Sequence, residues 1–327
     1  VKKVIVTALA ATSVLAATVA ASAASFDISE PLSTNGPLTS PWVASGTVTP
    51  SVVDGALLLT DATEGQRGFA LYNEAISVTR GIDVTFSQAQ WGGTNADGIV
   101  FFVKKGSDTS TTPGAGGGSM GYSPDDGDLE ADPPVAATDG LSGALLGIGL
   151  DAYGNFANAA SNGTGCSTTF NGPVGNAITV RGDGQGQVGY CLLAAPYNLS
   201  TNSLSPLSAS YASRQEAQRV IRVVIDPANA SDPRVQVYYD GGTLPIIDIP
   251  LPAAFSSVPT VKIGFSAGTG GSTNNHNVWG LTSTSAEAEE EELAPTGSSE
   301  TVGLGALIVA TLAGIAAVVV RRRRTQQ

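Results

Sequence analysis

The sequence predicts an all-β domain of two packed antiparallel sheets, on three observations. Short runs rich in Val, Ile, Phe and Tyr recur at 56–60, 68–72, 82–87, 97–103, 144–151, 177–180, 188–192, 220–225, 235–239, 246–249, 261–267 and 278–281. Turn signals such as Asp54-Gly55, Asp183-Gly184 and Asp240-Gly241-Gly242 lie between them, which is the punctuation of strands. Ahead of the C-terminal tail, no segment shows an apolar stripe of helical period beyond a turn or two around 213–218. Sandwiches of this size commonly remain one domain, so 25–284 is expected to form a single two-sheet jelly roll.

The flanks differ in character. Lys2 and Lys3 precede an apolar stretch from Val4 to Ala20, and Ser22, Ala23 and Ala24 follow. That order is a secretory signal peptide over 1–24, cut after Ala23 or Ala24. Export gives the two cysteines, Cys166 and Cys191, an oxidising compartment and no partner but each other, so a disulfide is the default. Closing a loop of that length stabilises by about 3 kcal/mol. At the other end, 285–300 is an acidic linker containing Leu293-Ala294-Pro295-Thr296-Gly297, 301–320 is apolar or small, and 321–327 opens with four arginines. Hydropathy makes 301–320 a membrane-spanning helix with its basic end held in the cytoplasm.

Charge narrows the partners. Between 25 and 296 ten Lys and Arg face twenty-seven Asp and Glu, a net of −17. Nucleic acid is a poor ligand for such a surface, because phosphate binding is driven by clustered cations. Asp125, Asp126, Asp128, Glu130 and Asp132 gather in one Gly- and Pro-bearing loop, either as a solvated loop or as a weak cation site.

The chemistry concentrates between 96 and 156. Ala96-Asp97-Gly98-Ile99-Val100-Phe101-Phe102-Val103 and Leu146-Gly147-Ile148-Gly149-Leu150-Asp151 are short uninterrupted apolar runs with a carboxylate at one end, the pattern of buried strands. Between them lies Pro113-Gly114-Ala115-Gly116-Gly117-Gly118-Ser119-Met120-Gly121, whose glycines let backbone N–H groups approach a ligand. A carboxylate acceptor, bare backbone donors and an apolar platform from Tyr153 or Phe156 suit a polyhydroxylated ligand.

These motifs, together with Phe265-Ser266-Ala267-Gly268-Thr269-Gly270-Gly271-Ser272-Thr273-Asn274-Asn275-His276, resemble the bacterial branch of the legume-lectin-like (L-type lectin) family. The resemblance covers about 25–284 and sharpens the jelly roll to a concanavalin A-like sandwich. It implies that Asp97 accepts hydrogen bonds from two sugar hydroxyls and follows a cis peptide bond. It further implies that Gly117 and Gly118 donate backbone N–H groups, that Asn155 donates its amide to the sugar, and that Asn274, Asn275 and His276 lie on the opposing sugar-facing loop, with Asn274, Asn275 and Tyr153 among the carbohydrate-binding residues. A turn-capping Asp97 and a rim-lining or structural His276 remain the plainer readings of those two residues.

The family's metal pattern is only partly present. Asp151, the Tyr153 carbonyl and Asn155 match three ligands, but Gly149 stands where a first carboxylate belongs, and 157–166 contains neither Asp nor His. No transition metal is therefore expected, and calcium, which takes six to eight oxygens, has at most a weak site. The alternative is that Asp151 and Asn155 simply hold their own loop by hydrogen bonds to its backbone.

The tail resembles the cell-wall sorting signal of Gram-positive surface proteins, in the LAxTG variant of high-GC actinobacteria. It implies that a sortase thiol attacks the Thr296 carbonyl, Gly297 leaves, and a peptidoglycan amine takes the acyl group after transient membrane insertion; the alternative is a plain membrane anchor. The expected protein is thus a secreted, wall-anchored, non-catalytic lectin-like adhesin. Two other classes stay open: a glycoside hydrolase on the same sandwich and a ligand-free surface scaffold. The hydrolase needs carboxylates flanking a scissile bond, and Glu130-Ala131-Asp132 lacks the third carboxylate of the usual ExDxxE strand.

Overall fold

The computed structural model describes residues 26–285, apart from 128–129, 131–132, 168–169 and 228–230. The expected signal peptide, acidic linker, sorting motif and membrane span lie outside the described residues, as do Asp128 and Asp132 of the acidic loop. In chain order the strands are β1 (Asp27–Glu30), β2 (Gly36–Pro37), β3 (Trp42–Gly46), β4 (Ser51–Val53), β5 (Ala56–Thr60) and β6 (Arg67–Ser77). They continue with β7 (Ile82–Trp91), β8 (Gly98–Lys105), β9 (Ala144–Asp151), β10 (Ala177–Arg181), β11 (Gly184–Gln185) and β12 (Val188–Gly189). The last are β13 (Tyr197–Asn198), β14 (Arg219–Asp226), β15 (Arg234–Tyr239), β16 (Ile247–Pro250), β17 (Thr260–Gly268) and β18 (Asn275–Thr284).

Two sheets result, each antiparallel at every strand pairing. The first runs β16-β15-β14-β7-β18-β5-β4-β2, with β1 also on β18. The second runs β12-β11-β9-β8-β17-β6-β3, with β10 on β9 and β13 on β10. This is the predicted all-β sandwich, and β8 and β9 lie side by side in it, with Gly98 opposite Asp151. Both strand-end carboxylates are thereby brought to one end of the second sheet.

The sheets differ in how they are covered. Along β7, Ile82, Val84 and Phe86 are buried while Asp83, Thr85 and Ser87 are partly open, the alternation of a strand with one face on the core. In β9 every residue is buried, and in β8 all but Lys105. Ile99, Phe101 and Val103 point to the sandwich core with Leu146, Ile148 and Leu150; there the Phe86 ring lies 5.6 Å from Phe101 and 4.9 Å from Phe265. Val100 and Phe102 face the other way, into a second cluster with Met120, Tyr122, Leu141, Phe156 and Tyr190. The loops after β8 and β9 therefore form a roof over the second sheet, which is why these strands read as unbroken apolar runs.

Gly147 and Gly149 make the roof possible. A Cβ on Gly147 would stand 2.8 Å from the Tyr122 ring, and one on Gly149 would run into the Phe156 ring and stand 3.2 Å from Met120 Cε. The alternating glycines of β9 thus supply the space in which roof aromatics sit against the sheet.

Local departures from the sequence reading have local causes. The 188–192 run is strand only over Val188–Gly189, because Tyr190 takes a left-handed φ of 57° and turns its ring into the roof. Trp42–Gly46, not expected as a strand, pairs with β6 along its whole length. The 213–218 turn is the single α-turn Arg214–Ala217, capped by Ser213 Oγ accepting from the Glu216 N–H. Cys166 and Cys191 are disulfide-bonded, with Cα atoms 5.3 Å apart.

Overpacking a filled site costs about 1–3 kcal/mol. Gly149→Ala is therefore expected to lower unfolding free energy in urea by that amount, whereas Gly271→Ala, whose Cβ would meet nothing within 4 Å, changes it by less than about 0.5 kcal/mol.

Candidate functional site

The site grows from the residue just before β8. The Ala96–Asp97 peptide bond is cis. Asp97 is fixed through its backbone on both sides: its N–H donates to the Gly268 carbonyl at 3.0 Å, and its carbonyl accepts from the N–H groups of Ala152 at 3.0 Å and Tyr153 at 3.1 Å. The residue is only 5% exposed, and Oδ2 is buried without a hydrogen-bond partner. Burial pushes the Asp97 carboxyl up to about 6. A buried polar atom without a partner is costly in a finished core, and here it sits at the edge of the sandwich beside bare backbone.

That backbone comes from two loops. A Cβ on Gly117 would stand 4.0 Å from Asp97 Oδ2, and one on Gly270 would stand 3.4 Å from it. Gly117 takes a left-handed φ of 53° and opens the 3₁₀ turn Gly117–Ser119, and the leading N–H groups of such a turn have no partner within it. Gly270 was not singled out by sequence reasoning; among forty glycines in the chain only its place opposite Asp97 distinguishes it. Asn155 closes a third side: a Cβ on Gly118 would stand 2.6 Å from Asn155 Cβ and 3.5 Å from its Nδ2. Asn155 Oδ1 accepts from Asn158 Nδ2 at 2.9 Å, which leaves Nδ2 as the donor on the Gly118 side. Tyr153 is 45% exposed next to this cluster, an aromatic surface open to a ligand.

Behind it, Asp151 is buried and fully employed. Oδ1 accepts from the Gly154 N–H at 2.6 Å and Oδ2 from the Phe156 N–H at 2.8 Å. Desolvation pushes its carboxyl up to about 7, with the charge of Asp97 adding to the rise and the two backbone donors opposing it. Asp151, Asn155 and the Tyr153 carbonyl do lie in one turn, but the set offers one carboxylate whose oxygens already serve the loop. Among the described residues no three His, Cys, Asp or Glu side chains gather as a metal-holding group. A calcium ion there would have Asp151, the Tyr153 carbonyl and Asn155 as its protein ligands and would need water for the rest.

The 274–276 segment is placed differently from the residues around Asp97. Asn274 is fully buried and donates to Ser208 Oγ at 2.9 Å, which in turn donates to Asn95 Oδ1 at 2.9 Å. Asn275 Nδ2 donates to the Trp91 carbonyl at 3.0 Å. His276 is buried in β18, its Nδ1 2.6 Å from Thr60 Oγ1, and burial lowers its pKa to about 3, so it stays neutral. Gln90 Nε2, on the strand beside His276, crosses to the Leu150 carbonyl at 2.9 Å. Among these contacts the Gln90 one joins the two sheets, while the others tie the start of β18 to β5, to β7 and to the Ser208 segment.

No family model matches the chain, and no curated protein matches it. Solved structures similar in layout include the VIP36 exoplasmic/lumenal domain in its Ca2+/Man3GlcNAc-bound form, 18% identical over 81% of this chain and 90% of that one, with a TM-score of 0.47. The Ca2+-bound form of VIP36 matches at 17% identity over 81% and 92%, with a TM-score of 0.48. The Emp46p carbohydrate recognition domain, in its potassium-bound form, matches at 14% identity over 76% and 90%, with a TM-score of 0.45.

Asp97 and Asp151 both have folded-state pKa values above the usual carboxylate value of 3.8. The stability they contribute is therefore fully present below pH 4 and is lost as pH rises through about 6 to 7. Asp97→Asn is expected to be more stable than wild type at pH 8 by about 1–3 kcal/mol, with the gain vanishing toward pH 4. Urea melts across that range check it.

Proposed function

We propose that this chain is a cell-surface carbohydrate-binding protein of lectin type, without catalytic activity, in which Asp97 is the central acceptor. The observation that carries this reading is the unpartnered Asp97 Oδ2 framed by the bare backbones of Gly117 and Gly270, with the Asn155 amide and the open Tyr153 ring beside it. A sugar presents adjacent hydroxyls that donate to one carboxylate, accept from backbone N–H groups and an amide, and lay a C–H face on an aromatic ring. Each demand has a counterpart here. Hydrolysis would require two carboxylates poised about a bond, and Asp151 is instead committed to its own loop.

Calcium belongs to this reading only as a weakly held accessory of the Asp151 turn. The two ends of the chain complete it: the N-terminal signal peptide supports export, and the LAPTG pentapeptide, apolar span and arginine cluster of the tail support sortase attachment to peptidoglycan, and hence a role in adhesion at the surface of a Gram-positive cell.

The decisive experiment is a glycan array, with the mannose-containing glycans named for VIP36 among the first probes, followed by titration of variants. Hydrogen bonds to a charged acceptor are worth about 1.5–3 kcal/mol, so Asp97→Asn is expected to weaken the best glycan by one to two orders of magnitude, roughly, while raising stability at pH 8. Equal affinities would remove Asp97 from the site. Because the ionised carboxylate is the acceptor, wild-type affinity should fall as pH drops below about 6. For the tail, replacing Thr296 or Gly297 should leave the protein in the membrane fraction; an unchanged wall-linked fraction would rule out the pentapeptide as the signal.

A further inference from the structure

Arg181, at the end of β10, is fully buried and takes no part in the glycan contacts described above. Its guanidinium donates from Nε to the Phe156 carbonyl at 2.7 Å, from Nη1 to Asn162 Oδ1 and the Tyr190 carbonyl, both at 2.6 Å, and from Nη2 to the Asn158 carbonyl at 2.9 Å. The group also lies 5.1 Å from the centre of the Phe156 ring. Asp151 holds the same loop from the opposite polarity, accepting the N–H groups of Gly154 and Phe156. Phe156 is thus bonded through its N–H to a carboxylate and through its carbonyl to a guanidinium.

The loop between them is the one that bears Asn155. Its Phe156 and Asn158 carbonyls are directed at the buried Arg181, and buried carbonyl oxygens demand a cationic or N–H partner. Here the space on the β9 side is taken by the Phe156 ring seated on Gly149, and the guanidinium stacked on that ring supplies the positive charge.

We propose that Arg181 is the positioning residue of the glycan site, an internal cation that fixes the 152–162 loop and sets Asn155 against Gly118 without need of a bound metal. The planar five-donor fork is essential to the role, because a lysine ammonium is a point charge with three rotatable donors and does not span four acceptors, three on the 152–162 loop and one at Tyr190. The inference about glycan affinity rests on the lectin reading; the inference about the loop does not.

The test separates the two. Amide hydrogen exchange is measured on the full-length chain as wild type, Arg181→Lys and Asn162→Ala, each with EDTA and with added CaCl2. In Arg181→Lys, exchange at Gly154, Phe156 and Asn158 is expected to rise at least tenfold while β8 and β17 keep their protection. Asn162→Ala, which deletes one acceptor on the loop, raises it less and keeps the test open if Arg181→Lys fails to fold. In wild type, EDTA shifts the loop by less than threefold. Unchanged loop exchange in both variants, or a wild-type loop protected only when calcium is present, would overturn the proposal. The best array glycan is then titrated: a tenfold or larger loss in Arg181→Lys ties the clamp to the site. Exposed loop amides with unaltered glycan affinity would refute the positioning role while leaving the lectin reading intact, and a wild type that binds no glycan would refute that reading and leave the clamp standing.

Discussion

The structure depends on the second sheet being covered on both faces. One face of β8, β9 and β17 packs against the first sheet through Phe101, Ile148 and Phe265, and the other is roofed by Met120, Tyr122, Phe156 and Tyr190. Such covering is unusual for an antiparallel sheet, which commonly leaves one face to water. It follows from Gly147 and Gly149, whose missing side chains are replaced by rings arriving from distant loops. Once those rings are seated, the loops carrying them are fixed over the end of the sheet where Asp97 and Asp151 lie.

Burial then assigns the two carboxylates opposite tasks. They are neighbours across the β8–β9 pairing, and both are desolvated enough to be pushed above the ordinary range. Asp151 recovers the cost by accepting two backbone N–H groups of its own turn. Asp97 does not, and its free oxygen faces glycine backbone. An energetic burden left uncompensated at one edge residue, while its neighbour is satisfied, is what a binding site for hydrogen-bond donors looks like before its ligand arrives.

Positive charge is scarce in the folded region, and two of its buried cations hold loops. Lys104 is buried with Asp108 at 2.7 Å and the Ser110 carbonyl at 2.6 Å, pinning the start of the roof loop to β8. Arg181 ties the second roof loop to β10 and to the Tyr190 segment. The acidic surface expected from composition thus coexists with a few internal cations that hold loop carbonyls.

The sequence by itself determined the sandwich class, since the spacing of β-branched and aromatic runs between Asp-Gly turns is a local property that survives in any packing. It also determined the Cys166–Cys191 disulfide, because each cysteine has no other partner, and it brought Asp97, Gly117, Gly118, Tyr153 and Asn155 forward as one group. The tertiary structure decided what no local pattern carries. Gly270 becomes a wall of the site only because β17 ends opposite Asp97. Asn274 and His276 turn into the interior because β18 begins at Asn275 and runs between β5 and β7, where side-chain direction is set by register. Arg181 looks in sequence like any strand-end arginine; its role appears only when four acceptors from the 152–162 loop and the Tyr190 segment converge on one guanidinium. Strand identity is written in neighbours along the chain, whereas hydrogen-bond satisfaction depends on neighbours in space, and the site is made of the latter.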